Sequence, residues 1–233
     1  MDPTSFDAFT FDCYGTLIDW ERGLLDALAP VLAAHGVASP GDDTLLERFA
    51  RRESEVQAEP YRRYRAVLEE VLRRVGSDLG FSPTRDQLLG FGGSVGRWRP
   101  FPDTVASLQA LSVHYRLAVV SNVDDDLFSG SAAQLGVDFA EVVTAQQVRS
   151  YKPAPDHFHE VLRRLDLPRK KVLHVAQSVF HDVAPAKALG LPCVWVNRRA
   201  GRAGGGATAP ARATPDLEVP DLAALVAWTQ ASP

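Results

Sequence analysis

Cysteine is scarce: Cys13 and Cys193 are the only two in 233 residues. Neither stands in C-x-x-C spacing, so the chain offers neither a zinc-site pattern nor a disulfide framework. A reducing, cytoplasmic compartment fits that usage. No run approaches the roughly 18 apolar residues that a membrane-spanning helix needs. The opening MDPTSFDAF has no basic start and no long apolar centre, which argues against a secretory leader. A positive excess is missing too. Lys and Arg total 25 against 29 Asp and Glu, a net charge of -4. Binding nucleic acid through its phosphates wants the opposite balance. The six histidines show no metal spacing. His157 and His159 stand two apart on a predicted helix and face different directions, so no metal is expected.

What is present is ordinary for a globular chain: 45% hydrophobic and 23% charged residues. The length suits one good-sized core with a smaller insertion. Short, continuously apolar runs read as strands buried on both faces of a parallel sheet. They are FDAFTFD ending at Asp12, YRLAVVSN (115–122), AEVVTA, KVLHVAQS (171–178) and PCVWVNR (192–198). Between them lie helical patterns: Val105, Leu108 and Leu111; then Phe158, Val161, Leu162 and Leu165; then a stretch that stops at Gly190. Alternating strands and helices predict a doubly wound α/β sheet, whose ligand crevice lies at the carboxyl ends of the strands. Asp12, Ser121, Asn122, Gln177 and Ser178 fall there.

The stretch from Glu21 to Trp98 differs. It reads as helical throughout, and Tyr64, Val67, Leu68, Val71, Leu72 and Val75 form a clean apolar stripe. The expected division is a core of residues 1–20 and 99–233 with a helical insertion at 21–98. The Gly-, Ala- and Pro-rich RRAGRAGGGATAPARATP reads as a surface loop before a last strand at LEV and a final helix. Asp124, Asp125 and Asp126 read as a solvated first turn favoured by the helix dipole.

Four separated segments, FDCYGTLID, VVSN, SYKPAPDHF and HVAQSVFHD followed by AKALGLPCVWVNR, resemble the haloacid dehalogenase superfamily in order and spacing over nearly the whole chain. The resemblance implies a Rossmann-like core, a nucleophilic aspartate at Asp12 and a helical cap inserted after it. Phosphatases of that superfamily carry a second aspartate two residues after the nucleophile and a pair of acids in the fourth segment to hold magnesium. Here Tyr14 and Gln177 stand at two of those places, while Ser178 and Asp182 are retained. A phenol with a pKa of about 10 is a poor proton donor to a leaving alcohol. Halide needs no such donor. The pattern is therefore similar to the metal-independent L-2-haloacid dehalogenases, with no cofactor.

That resemblance implies roles. Asp12 attacks the Cα of a 2-haloacid and forms an ester. Lys152 keeps Asp12 ionised, and Thr16, Ser121 and Asn122 bond the nucleophile or the substrate carboxylate. Asp182 positions the hydrolytic water. Tyr14, Gln177 and Ser178 line the substrate site, and a cap arginine, Arg51 or Arg52, cradles the halide. The L enantiomer and a homodimer through the cap are inherited expectations. Between Ala176 and Asp182 this chain is one residue longer than the family pattern, and Phe158 stands where the family has a tyrosine. Two alternatives stay open: a magnesium-dependent phosphatase (or a relative opening a strained cyclic carboxylate), and a catalytically idle binding protein.

Overall fold

The computed structural model describes residues 1–201, 207, 208 and 211–231. Among them six strands form one parallel sheet: β1 (Ala8–Phe11), β2 (Arg116–Ser121), β3 (Glu141–Thr144), β4 (Val172–Ala176), β5 (Cys193–Val196) and β6 (Leu217–Val219). Their spatial order is β3-β2-β1-β4-β5-β6. Every apolar run read as a strand is one, trimmed by a residue or more at its ends. The runs are apolar throughout because both faces are covered. Phe9, Phe11, Leu117, Val119, Leu173 and Val175 pack to one side. Ala8, Ala118, Val120, Val172 and Cys193 pack to the other, against Phe158, Val161 and Leu165. A slip of one residue in β1 would exchange two phenylalanines for the small residues opposite, so the register is strongly specified.

Four helices follow β1 with no strand among them: α1 (Trp20–Ala34), α2 (Asp42–Gln57), α3 (Tyr64–Asp78) and α4 (Arg85–Gly92). The rest alternate with strands. α5 (Thr104–Ser112) precedes β2, and α6 (Asp125–Leu135) joins β2 to β3. α7 (Ala145–Val148) and α8 (Asp156–Leu165) join β3 to β4. α9 (Ala184–Ala188) precedes β5 and α10 (Leu222–Gln230) follows β6. Gly190, with φ of 72°, turns the chain after α9 as its position suggested.

All six residues of the α3 stripe are buried. On α2 the buried face is Leu45, Leu46, Phe49, Glu53 and Val56, so an acid occupies an apolar stripe. Thr84 and Gln87 close a reciprocal cap at the start of α4. The four-helix block and the sheet meet at two particular places. A Cβ on Gly130 of α6 would lie 2.9 Å from the backbone of Gly96, so only glycine permits that approach. At the second place the reading of the acidic triplet needs correction. Asp124 is buried, and its two carboxyl oxygens accept from the backbone N–H groups of Tyr64 (2.9 Å) and Arg65 (3.0 Å). It caps α3 from across the fold, satisfying donors that the helix start leaves open. Asp126 is exposed as expected and pairs with Arg65, while Asp125 accepts from the Thr144 hydroxyl at 2.6 Å. The loop reading at RRAGRAGGGATAPARATP falls partly on residues 202–206 and 209–210, outside the described residues.

Candidate active site

β1 ends at Phe11, and the next residue, Asp12, is tied to the neighbouring strand by its N–H to the Val175 carbonyl (3.1 Å). The chain then reverses through Gly15, at φ of 98°, where a Cβ would crowd Trp20 and Gln177. That turn brings the Thr16 hydroxyl back onto Asp12 Oδ2 at 2.7 Å. Thr16 in turn accepts the Gln177 N–H at 2.9 Å. The position is the crevice beyond the strand ends where the sheet order reverses, between β1 and β4.

Lys152 reaches this crevice from the loop between α7 and α8. It is 1% exposed, and its three ammonium protons are all directed: to Asp12 Oδ1 (2.9 Å), Asp182 Oδ1 (2.6 Å) and the Val120 carbonyl (2.9 Å). Asn122 holds the lysine's own backbone from both sides, accepting its N–H (2.7 Å) and donating to its carbonyl (3.1 Å). Asn122 thus acts first on Lys152, although it also lines the cavity. Two carboxylates share one ammonium in a dry place. Burial and the nearby Asp182 charge push the Asp12 carboxyl above its ordinary value, opposed by Lys152 and Thr16. At Asp182 burial pushes the same way, but Lys152 and His174 outweigh it and hold the carboxyl down at about 2. Lys152 stays charged: burial works against the ammonium, and the two acids override it.

His174 escaped the sequence reading, which weighed the histidines as metal ligands. It lies within β4, fully buried, with Nε2 3.2 Å from Asp182 Oδ1 and Nδ1 3.0 Å from the Thr10 hydroxyl. The signal was available: a histidine in the middle of VLHVA, on a central strand, needs a buried partner. Phe158 stacks edge-on against its ring. His181 also faces the cavity, where burial pushes it down to about 4 and leaves it neutral. A π-helical turn runs over Val179–Val183, within the stretch that the resemblance reads as one residue longer than the family pattern. Ser178 starts that turn, its hydroxyl accepting the His181 N–H at 2.9 Å.

Asp12, Tyr14, Ser121, Asn122, Lys152, Ser178 and Asp182 line one small cavity of about 40 Å³. By the volume one water fills, that is room for roughly three waters. Tyr14 donates to or accepts from the Ser131 hydroxyl at 2.9 Å, and its ring stands edge-on to Trp98. Among the described residues the Ser121 hydroxyl has no hydrogen-bond partner, nor has Asp182 Oδ2. Both are polar atoms ready for a substrate or water. Trp20 lines the same space. Cys13 is buried, and burial pushes its thiol well up, so it is unreactive as expected.

Two expected substrate contacts are elsewhere. Arg51 points out from α2, 59% exposed, with Nη2 3.3 Å from Asp78. Arg52 is bound to Asp78 and Glu55. The α2 residues that line the cavity are Glu53 and Gln57, one turn apart, and Glu53 sits about 200° around the helix from Arg51. Gln177 turns its amide towards Thr208 (3.5 Å) and lines an adjoining cavity with Gly15 and Arg198. The donors present do not suit a divalent cation. Lys152 already sits against both acids, and among the described residues no three His, Cys, Asp or Glu side chains converge.

A parallel sheet with an aspartate just past its first strand, held by a threonine and a lysine that also grips a second acid, is the arrangement that the resemblance to the haloacid dehalogenase superfamily implies. The family model for the haloacid dehalogenase-like hydrolases matches residues 6–190, and the chain belongs to that family. It is 26% identical over 232 residues to the (S)-2-haloacid dehalogenase of Pseudomonas putida, covering 95% of this chain and 97% of that one. With the (S)-2-haloacid dehalogenase of Xanthobacter autotrophicus it shares 28% identity over 199 residues, covering 82% and 75%. A solved L-2-haloacid dehalogenase superposes with a TM-score of 0.82 at 27% identity, over 97% of this chain and 100% of the other.

Proposed function

We propose that the protein hydrolyses the carbon–halogen bond of short 2-haloalkanoic acids to give 2-hydroxy acids, with residues 21–98 acting as the cap over the site. The observation that carries this reading is the Asp12–Lys152–Asp182 assembly with Tyr14, not an acid, two residues after the nucleophile. It holds a carboxylate to attack carbon, and a phenol stands at the position where the phosphatases carry their acid.

One Asp12 carboxyl oxygen attacks Cα from the side opposite the halogen. The C–O bond forms as the carbon–halogen bond breaks, and the configuration inverts. The Lys152 ammonium and the Thr16 hydroxyl keep the carboxyl charged and fixed, so little reorganisation is needed. Ser121 is free to bond the substrate carboxylate. Water then attacks the ester carbonyl of Asp12, oriented by Asp182, which remains a carboxylate across the working pH range. Hydrolysis at that carbon leaves the inverted Cα untouched.

Free halide is measured from both enantiomers of 2-chloropropionate and from chloroacetate and fluoroacetate, with and without EDTA, beside an Asp12→Asn control. Chelator-resistant release that disappears in the control is expected. No halide at high enzyme, with phosphate released from small phosphoesters in magnesium, would replace this reading with the phosphatase.

A further inference from the structure

An in-line displacement puts the departing atom on the far side of carbon from the nucleophile. Asp12 and Lys152 belong to the sheet side of the cavity. α2, from the helical block, lines the same cavity with Glu53 and Gln57; neither is an arginine, and of the two only Glu53 is an acid. Glu53 is 6% exposed, and its Oε1 accepts the Tyr64 hydroxyl at 2.7 Å. The other carboxyl oxygen has no hydrogen-bond partner among the described residues. No arginine lines this cavity among them either, and Lys152 has no proton to spare. A departing chloride or bromide, which keeps its full charge, therefore finds no free cation.

Resting on the haloacid reading, we infer that Glu53 meets the departing atom as an acid, and that the preferred substrates are 2-fluoroalkanoic acids. Fluoride is the poorest leaving group among the halides and the strongest hydrogen-bond acceptor, so it gains most from a proton delivered as the bond breaks. The step balances. The Asp12 oxygen bonds to Cα, the C–F electron pair leaves on fluorine, and the Glu53 proton joins it as HF. Glu53 is left as a carboxylate and regains a proton from the water that splits the ester. The sum is one haloacid and one water giving one hydroxy acid and one HF.

Burial supports the protonated form, pushing the Glu53 carboxyl up to about 7 against the opposing Tyr64 hydrogen bond. The other groups around the cavity do not compete for that role. Asp182 is held down, His181 is neutral, and burial pushes the Tyr14 and Tyr64 phenols well up. Asp12 is the nucleophile and Lys152 its counter-ion.

The test compares fluoride release from fluoroacetate with chloride release from chloroacetate in wild type and Glu53→Gln. A positioned acid contributes about 10²–10⁴-fold, so the fluoride-to-chloride rate ratio is expected to fall by at least about 100-fold in the variant. The ratio is internal to each preparation, so partial misfolding cancels. A second variant, Tyr64→Phe, removes the bond that favours the ionised carboxyl. It is expected to move the alkaline limb of fluoride release to higher pH. A ratio unchanged in Glu53→Gln, or an alkaline limb that Tyr64→Phe leaves in place, overturns the role of Glu53 alone. Wild type that releases neither halide above the Asp12→Asn level overturns the haloacid reading and this inference together.

Discussion

Replacing Glu53 by Gln has a consequence for stability that opposes its consequence for rate. The glutamine keeps the shape and an oxygen to accept the Tyr64 hydroxyl at the site of the 2.7 Å bond, but it cannot ionise. In the wild type the folded carboxyl titrates near 7, from an ordinary 4.5. A raised folded value favours the folded state fully below the unfolded pKa, and that advantage is lost as pH rises through 7. The difference of about 2.5 units corresponds to roughly 3 kcal/mol at 1.36 kcal/mol per unit. Glu53→Gln should therefore gain on the wild type between about pH 4.5 and 7 and hold an advantage of about 3 kcal/mol above it. For a chain of this size that is roughly 6–12 °C in midpoint temperature. Thermal unfolding of the two proteins in parallel, from pH 4.5 to 9, reads the difference directly. Every other titrating group is common to both, Asp12 and His181 across the cavity included. A difference that is flat with pH, or that widens towards acid, would refute the buried-acid argument. A variant that is more stable and less active would show a functional group retained at a cost in stability.

Four other outcomes follow from the same geometry. Lys152→Met keeps the apolar stem but leaves two buried carboxyl groups without their ammonium, which should cost about 3–5 kcal/mol at pH 7; the deficit should shrink towards pH 5 as the acids protonate, and urea midpoints at both pH values check it. Thr16→Val removes a charged hydrogen bond to the nucleophile of the kind worth about 1.5–3 kcal/mol, so halide release should fall roughly 10–100-fold in kcat. Asp124→Ala uncaps α3 and should lower stability by about 1–2 kcal/mol while raising KM more than it lowers kcat, since it loosens the seat of the helical block that lines the cavity and not the nucleophile. In the wild type the acid limb of kcat/KM should lie above the ordinary aspartate value, because burial raises Asp12: a raised carboxyl is protonated, and lost as a nucleophile, earlier as pH falls. A limb at or below that value would contradict it.

The strands were legible because a parallel sheet covered on both faces leaves no polar phase to confuse the run. Asp12 was legible from its place at a strand end, and Thr16, Lys152 and Asp182 from the order and spacing of the four segments that carry the resemblance. Arg51 was not, since a residue on an amphipathic helix is placed by phase. One step of two residues separates an outward arginine from the inward Glu53. The clue was Leu45, Phe49 and Val56 at helical spacing, with Glu53 on the same stripe. The Asp124 cap was illegible for a different reason. Its partners lie 59 and 60 residues away, and nothing local distinguishes it from Asp126. Gln177 lies against the turn at Gly15, where a Cβ would come within 3.1 Å of its Oε1, a proximity that the sequence spacing of the two residues does not show.

The strand order carries a consequence for biogenesis. β1 is made first but bonds only to β2 and β4, so it has no partner until residue 116 is available and no second one until residue 172. The helices between 20 and 92, with contacts among near neighbours, can form while the ribosome is still working. The Lys152–Asp12 pair spans 140 residues and Asp182 joins from 30 further on. The site is therefore completed last, and a nascent chain should hold its apolar first strand exposed for most of its synthesis, in need of shelter before it can have any activity.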